Sequence, residues 1–89
     1  MPYVEFAPAL TRHVACPPQD VRAETLRAAL DAALLAAPAL RGYVLDEQGA
    51  LRKHVTVFVS GRALADRGGL SGAVGAADEV YVLQALSGG

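Results

Sequence analysis

Polar and apolar residues alternate at the start of the chain, which indicates extended structure. The alternation over residues 3–7 predicts a short strand with Val4 and Phe6 facing a core. A second extended stretch is expected somewhere between residues 13 and 22. Because it contains Pro17-Pro18, which reduce the number of backbone donors, it must be an edge strand or partly loop.

An amphipathic helix that follows Thr25 is the clearest predicted element. Thr25 is a favourable N-cap because its hydroxyl oxygen can accept a free N–H of the first turn. Pro38 is expected to end the helix, since it lacks a backbone donor and disfavours helical geometry at the preceding residue. One apolar stripe recurs at helical spacing between these limits: Leu26, Ala29, Leu30, Ala33, Leu34 and Ala37.

Two strands are predicted in the second half of the chain. Residues 41–53 are expected to be irregular, with a turn at 46–49. Residues 54–59 alternate as a strand and Ser60-Gly61 closes it as a turn, while residues 79–84 form the last strand. The side chains expected to face the helix are Val55, Val57, Val59, Val80 and Val82, and those expected on the opposite face are Thr56, Phe58, Tyr81 and Leu83.

The predicted order of elements is strand, strand, helix, strand, strand. One main helix across one face of a mixed sheet of about four strands is an α+β fold. The first and last strands could lie parallel at the centre, which is the β-grasp arrangement, although periodicity alone leaves this pairing open. We expect one domain over residues 1–85 and a flexible Gly-Gly tail over 86–89.

Composition and charge narrow the class of protein. The 89 residues suffice for one domain, and 53% apolar with 19% charged residues is typical of a folded chain. A net charge of −1 argues against nucleic-acid binding, which requires a basic face. The longest apolar run is too short for a membrane span, and the first residues lack the pattern of a signal peptide. We therefore expect a cytoplasmic protein that binds neither nucleic acid nor membrane.

Residue types that carry catalysis are present without the spacing that catalysis requires. The lone Cys16 excludes an internal disulfide and a cysteine-based zinc cluster, and it is expected to be a small packed thiol. His13 and His54 lack metal-ligand spacing. Gly69, Gly72 and Gly75 do not have the spacing of a dinucleotide-binding fingerprint. We expect no catalytic residue, no metal site and no bound cofactor.

Gly88-Gly89 stands at the C-terminal end of the sequence. Glycine has no side chain, so a Gly-Gly segment can enter a narrow tunnel and carry its carboxylate to the active site of another protein. The carboxylate is ionised at neutral pH and is a poor electrophile. Conversion to an acyl-adenylate would allow sulfide or an amine to attack it.

Together, these stretches resemble the ubiquitin-like sulfur-carrier family of β-grasp proteins. This family includes the small subunit of molybdopterin synthase, the thiamine-pathway sulfur carrier and the sulfur carriers of alternative cysteine synthesis. The similarity runs along nearly the whole chain and is weakest before Thr25. The matching residues are Thr25-Leu26, the segment from Leu51 to Gly61, Leu70, Val74, Asp78-Glu79-Val80 and Ala85-Leu86-Ser87-Gly88-Gly89.

The resemblance implies a β-grasp sheet of four to five strands and a chemical role for the tail. An E1-like adenylyltransferase would activate the Gly89 carboxylate with ATP and Mg²⁺. A sulfurtransferase or another sulfur donor would then convert it to a thiocarboxylate, and a client enzyme would take the sulfur. Gly88, Ser87 and Leu86 would thread into the partner, and the carrier itself would supply no catalytic side chain.

The outward strand positions suggest where such a partner docks. If the valines face the helix, then Phe58, Tyr81 and Leu83 form an apolar patch on the other side of the sheet. We expect this patch to bind the activating enzyme. Charged side-chain stems covering the patch, or self-association through it, are the alternatives.

Other functions remain open at the level of sequence. Gly89 could be joined to lysines of other proteins, which would make the chain a protein modifier. The chain could be the small subunit of a molybdopterin synthase, or an interaction module in which Gly-Gly is incidental. The receiving pathway is also open: cysteine, molybdopterin, thiamine, thiolated tRNA or a specialised metabolite.

Overall fold

A computed structural model describes residues 1–12 and 14–84. Within these ranges the chain forms five strands and three helices, and the predicted α+β class is confirmed. The elements in chain order are β1 (Tyr3–Phe6), α1 (Pro8–Thr11), β2 (Gln19–Asp20), α2 (Leu26–Leu34), α3 (Pro38–Val44), β3 (Val55–Val59), β4 (Arg62–Ala63) and β5 (Glu79–Gln84).

The five strands form one mixed sheet in the order β2-β1-β5-β3-β4. The central pair, β1 and β5, is parallel, and the other pairs are antiparallel. This confirms the β-grasp arrangement. In the parallel pair Val4 lies opposite Val80 and Phe6 opposite Val82, so their side chains enter the core side by side. β2 occupies the edge expected from the prolines before it, and β4 occupies the other edge.

The core lies between the sheet and α2. Val59 lies nearer the edge and is only partly buried against the core. Because the apolar stripe of α2 and the inner face of the strands are buried together, the sequence pattern correctly assigned the buried side of both the helix and the sheet. The remaining inner strand residues and the helical stripe have at most 4% of their surface exposed: Val4, Phe6, Val55, Val57, Val80, Val82, Leu26, Ala29, Leu30, Ala33, Leu34 and Ala37.

The boundaries of α2 follow from its first and last residues. The backbone N–H of Ala28 donates to Thr25 Oγ1 at 3.1 Å, which confirms the predicted cap. The regular helix ends at Leu34. The chain then tightens into i→i+3 bonds, of which Ala37 N–H to the Leu34 carbonyl at 3.1 Å is the last. Ala37 stays in the core although it lies beyond the helix.

The prediction that residues 41–53 are irregular is wrong for their first part, because α3 covers Pro38–Val44. Proline at the first helical position is compatible with helix initiation, since its φ suits the helix and that N–H would have no helical partner. Leu40 and Val44 bury the inner face of α3. The same chemistry at Pro8 begins α1.

Two predicted turns are confirmed. Asp46 Oδ1 accepts the backbone N–H groups of Gln48 and Ala50 at 2.8 and 3.0 Å, and Gly49 has a φ of +83°. Between β3 and β4, Ser60 and Gly61 have φ values of +48° and +85°. Two consecutive positive φ values are typical of the tight turn that matches the twist of a hairpin.

Two glycine-to-alanine substitutions are expected to have opposite effects on stability. Gly42 lies inside α3, and a Cβ there would meet no atom within 4 Å. Gly42→Ala is therefore expected to raise the free energy of unfolding by about 0.5–1 kcal/mol. Gly61→Ala places a side chain at positive φ and is expected to lower it by about 1 kcal/mol or more. Urea denaturation measures both, and equal shifts of the same sign would contradict the turn and helix assignments.

Candidate partner-binding surface

The sheet face that points away from α2 carries the predicted apolar patch. Phe58 lies opposite Tyr81 in the register of β3 and β5, and Thr56 lies opposite Leu83. Because cross-strand partners share a face, these side chains lie together on the outer side of the sheet. Tyr81 is 38% exposed, and Phe58 and Leu83 are half-buried. We refer to Phe58, Tyr81 and Leu83 as the outer patch; its role in docking stays a prediction.

Acidic residues lie on the same outer face, at the end where β5 begins. Tyr3 lies opposite Asp20 on β2 and opposite Glu79 on β5, so the three form a row across three strands. We refer to Asp20, Tyr3 and Glu79 as the acidic row. Desolvation raises the pKa of the Tyr3 hydroxyl, and the charge of Glu5 and its hydrogen bond to Tyr3 add to the effect, with smaller contributions from Asp20 and Glu79.

The acidic row was not predicted from the sequence. The limits of β2 could not be fixed there, because a two-residue strand next to two prolines leaves almost no periodic pattern. Without those limits, the residue opposite Tyr3 is unknown. The sequence did contain one usable signal: with Val4 and Phe6 facing the core, strand alternation places Tyr3 on the outward side of β1.

The end of β5 carries the chain towards the tail. Hydrogen bonds hold β5 on both sides: the N–H of Ala7 donates to the Val82 carbonyl at 2.8 Å, and Gln84 pairs with Val55 at the start of β3. Tail residues Leu86, Ser87, Gly88 and Gly89 lie outside the described residues, as do Ala85 and His13. The division into a domain over 1–85 and a tail over 86–89 therefore stays a prediction.

At the start of β5, Asp78 ties the strand to the β3–β4 turn. Its carboxylate accepts the Ser60 hydroxyl and the Gly75 N–H, both at 2.7 Å. Ser60 Oγ in turn accepts the Glu79 N–H at 3.2 Å. The Gly75 N–H, followed by the Ser60 hydroxyl, lowers the pKa of Asp78. These hydrogen bonds stabilise Ser60 at its positive φ, and they define the residue at which β5 begins.

Asp78→Asn is expected to destabilise the protein at neutral pH and to have less effect in acid. The folded-state pKa of Asp78 lies below its ordinary value, so the carboxylate stabilises the fold above the unfolded pKa of about 3.9. That contribution is lost as the pH falls through the folded-state pKa. Urea unfolding at pH 7 and pH 3 should show a gap between wild type and variant that narrows in acid. The control Glu47→Gln, in an exposed turn, should show no gap, and a gap for Asp78→Asn that is equal at both pH values would contradict the assignment.

Cys16 lies in the core and away from the outer face. Its thiol donates to the Ala33 carbonyl at 3.9 Å and accepts from Gln19 Nε2 at 3.5 Å. Burial raises the pKa of the thiol, and the hydrogen bond from Gln19 opposes this only in part. A buried thiol with a raised pKa is a packing residue, as the sequence predicted, and a poor nucleophile.

An open groove of about 350 Å³ runs between the start of α2 and β4, on the other side of the sheet from the outer patch. Its polar lining includes the side chains of Arg62, Asp66 and Ser71, and the last two bind each other: the Ser71 hydroxyl donates to Asp66 Oδ2 at 2.7 Å. The Gly69 N–H also donates to Asp66 at 2.9 Å. These bonds lower the pKa of Asp66, that of Ser71 most. The Asp66 carboxylate therefore stabilises the loop over residues 66–71.

Residues 1–12 and 14–84 contain no group of three His, Cys, Asp or Glu side chains placed to hold a metal ion. In the same part of the chain, none of the helices has the length and apolar character needed to cross a membrane.

Comparison with known proteins identifies the family. No protein-family model and no curated protein matches the chain. Among solved structures, SAMP1 from Haloferax volcanii is 31% identical, with a TM-score of 0.78, and the match covers 99% of this chain and 98% of that one. The chain belongs to the ubiquitin-like sulfur-carrier family. A second structure of this relative names it small archaeal modifier protein 1.

Two further solved structures of lower identity share the fold. CysO in the Amycolatopsis orientalis BexX/CysO complex is 20% identical with a TM-score of 0.82, and the match covers 100% of both chains. Mycobacterium tuberculosis CysO is 21% identical with a TM-score of 0.79, over 97% of this chain and 100% of that one. At these identities the likeness shows the shared β-grasp fold.

Proposed function

We propose that this protein carries sulfur on its C-terminal glycine. The Gly89 carboxylate attacks the α-phosphate of ATP in an E1-like adenylyltransferase that uses Mg²⁺, and pyrophosphate leaves. A sulfur donor then displaces AMP from the acyl-adenylate and leaves a thiocarboxylate. In a client biosynthetic enzyme the thiocarboxylate sulfur forms a bond to the acceptor substrate. Water then cleaves the bond between the Gly89 carbonyl carbon and sulfur, which leaves the sulfur on the product and returns the carboxylate.

The observation that carries the proposal is the end-to-end match to a 31% identical member of the family, in a chain whose sequence ends in Gly88-Gly89. The fold contributes a rigid support, since β5 is hydrogen-bonded on both sides before the tail begins. The carrier contributes a carboxylate and a docking face, and the activating enzyme contributes the catalytic groups. Because activation uses ATP, we place the protein in the cytoplasm.

The experiment is an intact-mass measurement on untagged protein from its own host. The expected result is a species heavier by the difference between one sulfur and one oxygen atom. The same species should form in vitro with ATP, Mg²⁺, the host's E1-like enzyme and a sulfur donor. A mass that stays that of the plain carboxylate under both conditions would overturn the proposal.

Attachment to other proteins is the second candidate function, and one observation favours it. The 31% identical relative is itself named a modifier protein. The same acyl-adenylate could transfer Gly89 to a lysine amine, with AMP as the leaving group. Tryptic peptides from host lysate in which a lysine carries residues 68–89 of this chain, the segment that follows its last basic residue Arg67, would establish this function.

Replacing Phe58 with serine is expected to weaken binding to the activating enzyme and to change stability little. Phe58 is half-buried on the outer face, so its loss removes contact area with a partner more than core packing. We expect binding at least about fivefold weaker, equivalent to about 1 kcal/mol. Calorimetric titration measures the affinity, and thermal melting measures the stability.

Leu35→Ser is the matched control for Phe58→Ser. Leu35 is 79% exposed and lies at the end of α2, on the opposite side of the molecule from the outer patch. Its replacement should leave binding unchanged. A large drop in melting temperature for Phe58→Ser, or equal binding by both variants and wild type, would contradict the assignment of the outer patch.

A further inference from the structure

Cross-strand pairing orders the outer face of the sheet into three rows. Each row lies across the strands, and successive rows follow one another along β5. The first row is acidic, the second combines one carboxylate with two aromatic rings, and the third is mainly apolar. From the start of β5 to its end, the rows are Asp20–Tyr3–Glu79, Glu5–Tyr81–Phe58 and Leu83–Thr56.

In the part of the chain that the structure describes, no ion pair involves a carboxylate of this face. The one ion pair among residues 1–12 and 14–84 joins Asp31 to Arg41, which lie on α2 and α3. Asp20 and Glu79 are exposed, and Glu5 is half-buried beside the Tyr3 hydroxyl. The strand residues that point outward in the described sheet include no lysine or arginine. The negative charge is therefore available to a partner.

Charge and apolar surface are separated along the direction in which the chain leaves the sheet. Glu79 and Leu83 are four residues apart on β5, which is about 13 Å in a strand. The apolar end is the end from which residue 85 continues. A partner that buries both ends can accept this face in one orientation only, because reversal would place carboxylates against an apolar surface.

We propose that the outer face binds a protein surface of complementary layout: an apolar socket beside the entrance to an active site, and a cluster of arginine or lysine side chains about 13 Å from it. The inference rests on the proposed function, since the E1-like enzyme is the partner that must receive the C-terminus. Burial of the outer patch supplies affinity, and the acidic row supplies orientation and a fast encounter.

A second copy of the chain does not fit this face. Both copies would bring carboxylates and no compensating base from their outward strand positions, so the acidic rows would be buried unpaired at a cost. Nucleic acid is excluded by the same negative charge. The layout thus favours a basic protein surface over both alternatives.

The test measures association of the chain with the host's purified E1-like enzyme, without ATP, by stopped-flow or biolayer interferometry. Glu79→Lys and Asp20→Lys are the test variants. Glu47→Lys is the control, because it makes the same change of net charge in an exposed turn outside the sheet. At low salt we expect association about tenfold slower for each test variant than for the control. The difference should shrink as salt is raised.

Tyr81→Ser separates the two parts of the proposed surface. It removes apolar contact without changing charge, so it should speed dissociation and leave the salt dependence of association as in wild type. Thermal melting of each variant shows that the fold is retained. Association of Glu79→Lys and Asp20→Lys at the rate of Glu47→Lys, at every salt concentration, would overturn the inference.

Failure of this inference is distinguishable from failure of the proposed function. If wild type binds the enzyme through the acidic row but never gains sulfur, the docking inference is supported and the sulfur-carrier proposal is contradicted. If wild type gains sulfur while the lysine variants associate like the control, the sulfur-carrier proposal is supported and the docking inference is contradicted.

Discussion

A chain that lacks Gly89 is expected to fold normally and to form no thiocarboxylate. In the proposed reaction the terminal carboxylate forms a bond to the α-phosphate of ATP, so the position of this carboxylate in the partner's active site decides the rate. Removing one residue from an extended segment shortens its reach by about 3.5 Å. A displacement of about 1 Å can cost a reaction about 100-fold, so the remaining Gly88 carboxylate should not be activated detectably.

Intact mass after incubation with ATP, Mg²⁺, a sulfur donor and the E1-like enzyme measures this effect. A chain extended by one alanine after Gly89 should also form no thiocarboxylate, because its terminal carboxylate is displaced in the opposite direction. Gly72→Ala is the control: a Cβ at Gly72 meets no atom within 4 Å, so this variant should gain sulfur like wild type. Sulfur gain by the chain without Gly89 would show that the reacting group lies elsewhere.

Leu30→Ala is expected to cost much of the protein's stability. Leu30 lies on the buried stripe of α2 with none of its surface exposed, and it belongs to the core cluster between helix and sheet. Truncation of a buried leucine removes apolar contact and leaves a cavity, which costs about 2–5 kcal/mol. The free energy of unfolding of a small domain is only about 5–15 kcal/mol in total. The variant should therefore unfold at a much lower urea concentration.

Leu35→Ala is the matched control for Leu30→Ala. The two leucines lie close together in sequence, but Leu35 is 79% exposed at the end of α2. Its truncation should change the free energy of unfolding by less than about 0.5 kcal/mol. Similar midpoints for the two variants in urea would mean that the stripe of α2 does not face the sheet.

The local sequence pattern was sufficient to predict β3 and α2. The alternation of Val55 and Val57 with Thr56 assigned the inner face of β3, because successive side chains of a strand point to opposite faces. The cap at Thr25 and the stripe after it located α2, because helical periodicity is strong over several turns. These signals needed no knowledge of the rest of the chain.

Proline was the main source of error in reading the helices. Pro38 was interpreted as the end of one helix, but α2 ends at Leu34 and Pro38 is the first residue of α3. The sequence cannot separate these roles by propensity, because the same fixed φ and missing N–H are compatible with a stop and with a start. Burial of Leu40 and Val44 against the rest of the core decides in favour of α3.

The sequence by itself determined the fold class, the family resemblance and the residues of the outer patch. Those follow from periodicity and from motifs, both of which are local. Only the tertiary structure decided which strands are neighbours, and with them the acidic row, since Asp20, Tyr3 and Glu79 are brought into one row by the pairing of three strands. Strand register is a non-local property, and a shift of one residue would move Asp20 to the other face of the sheet.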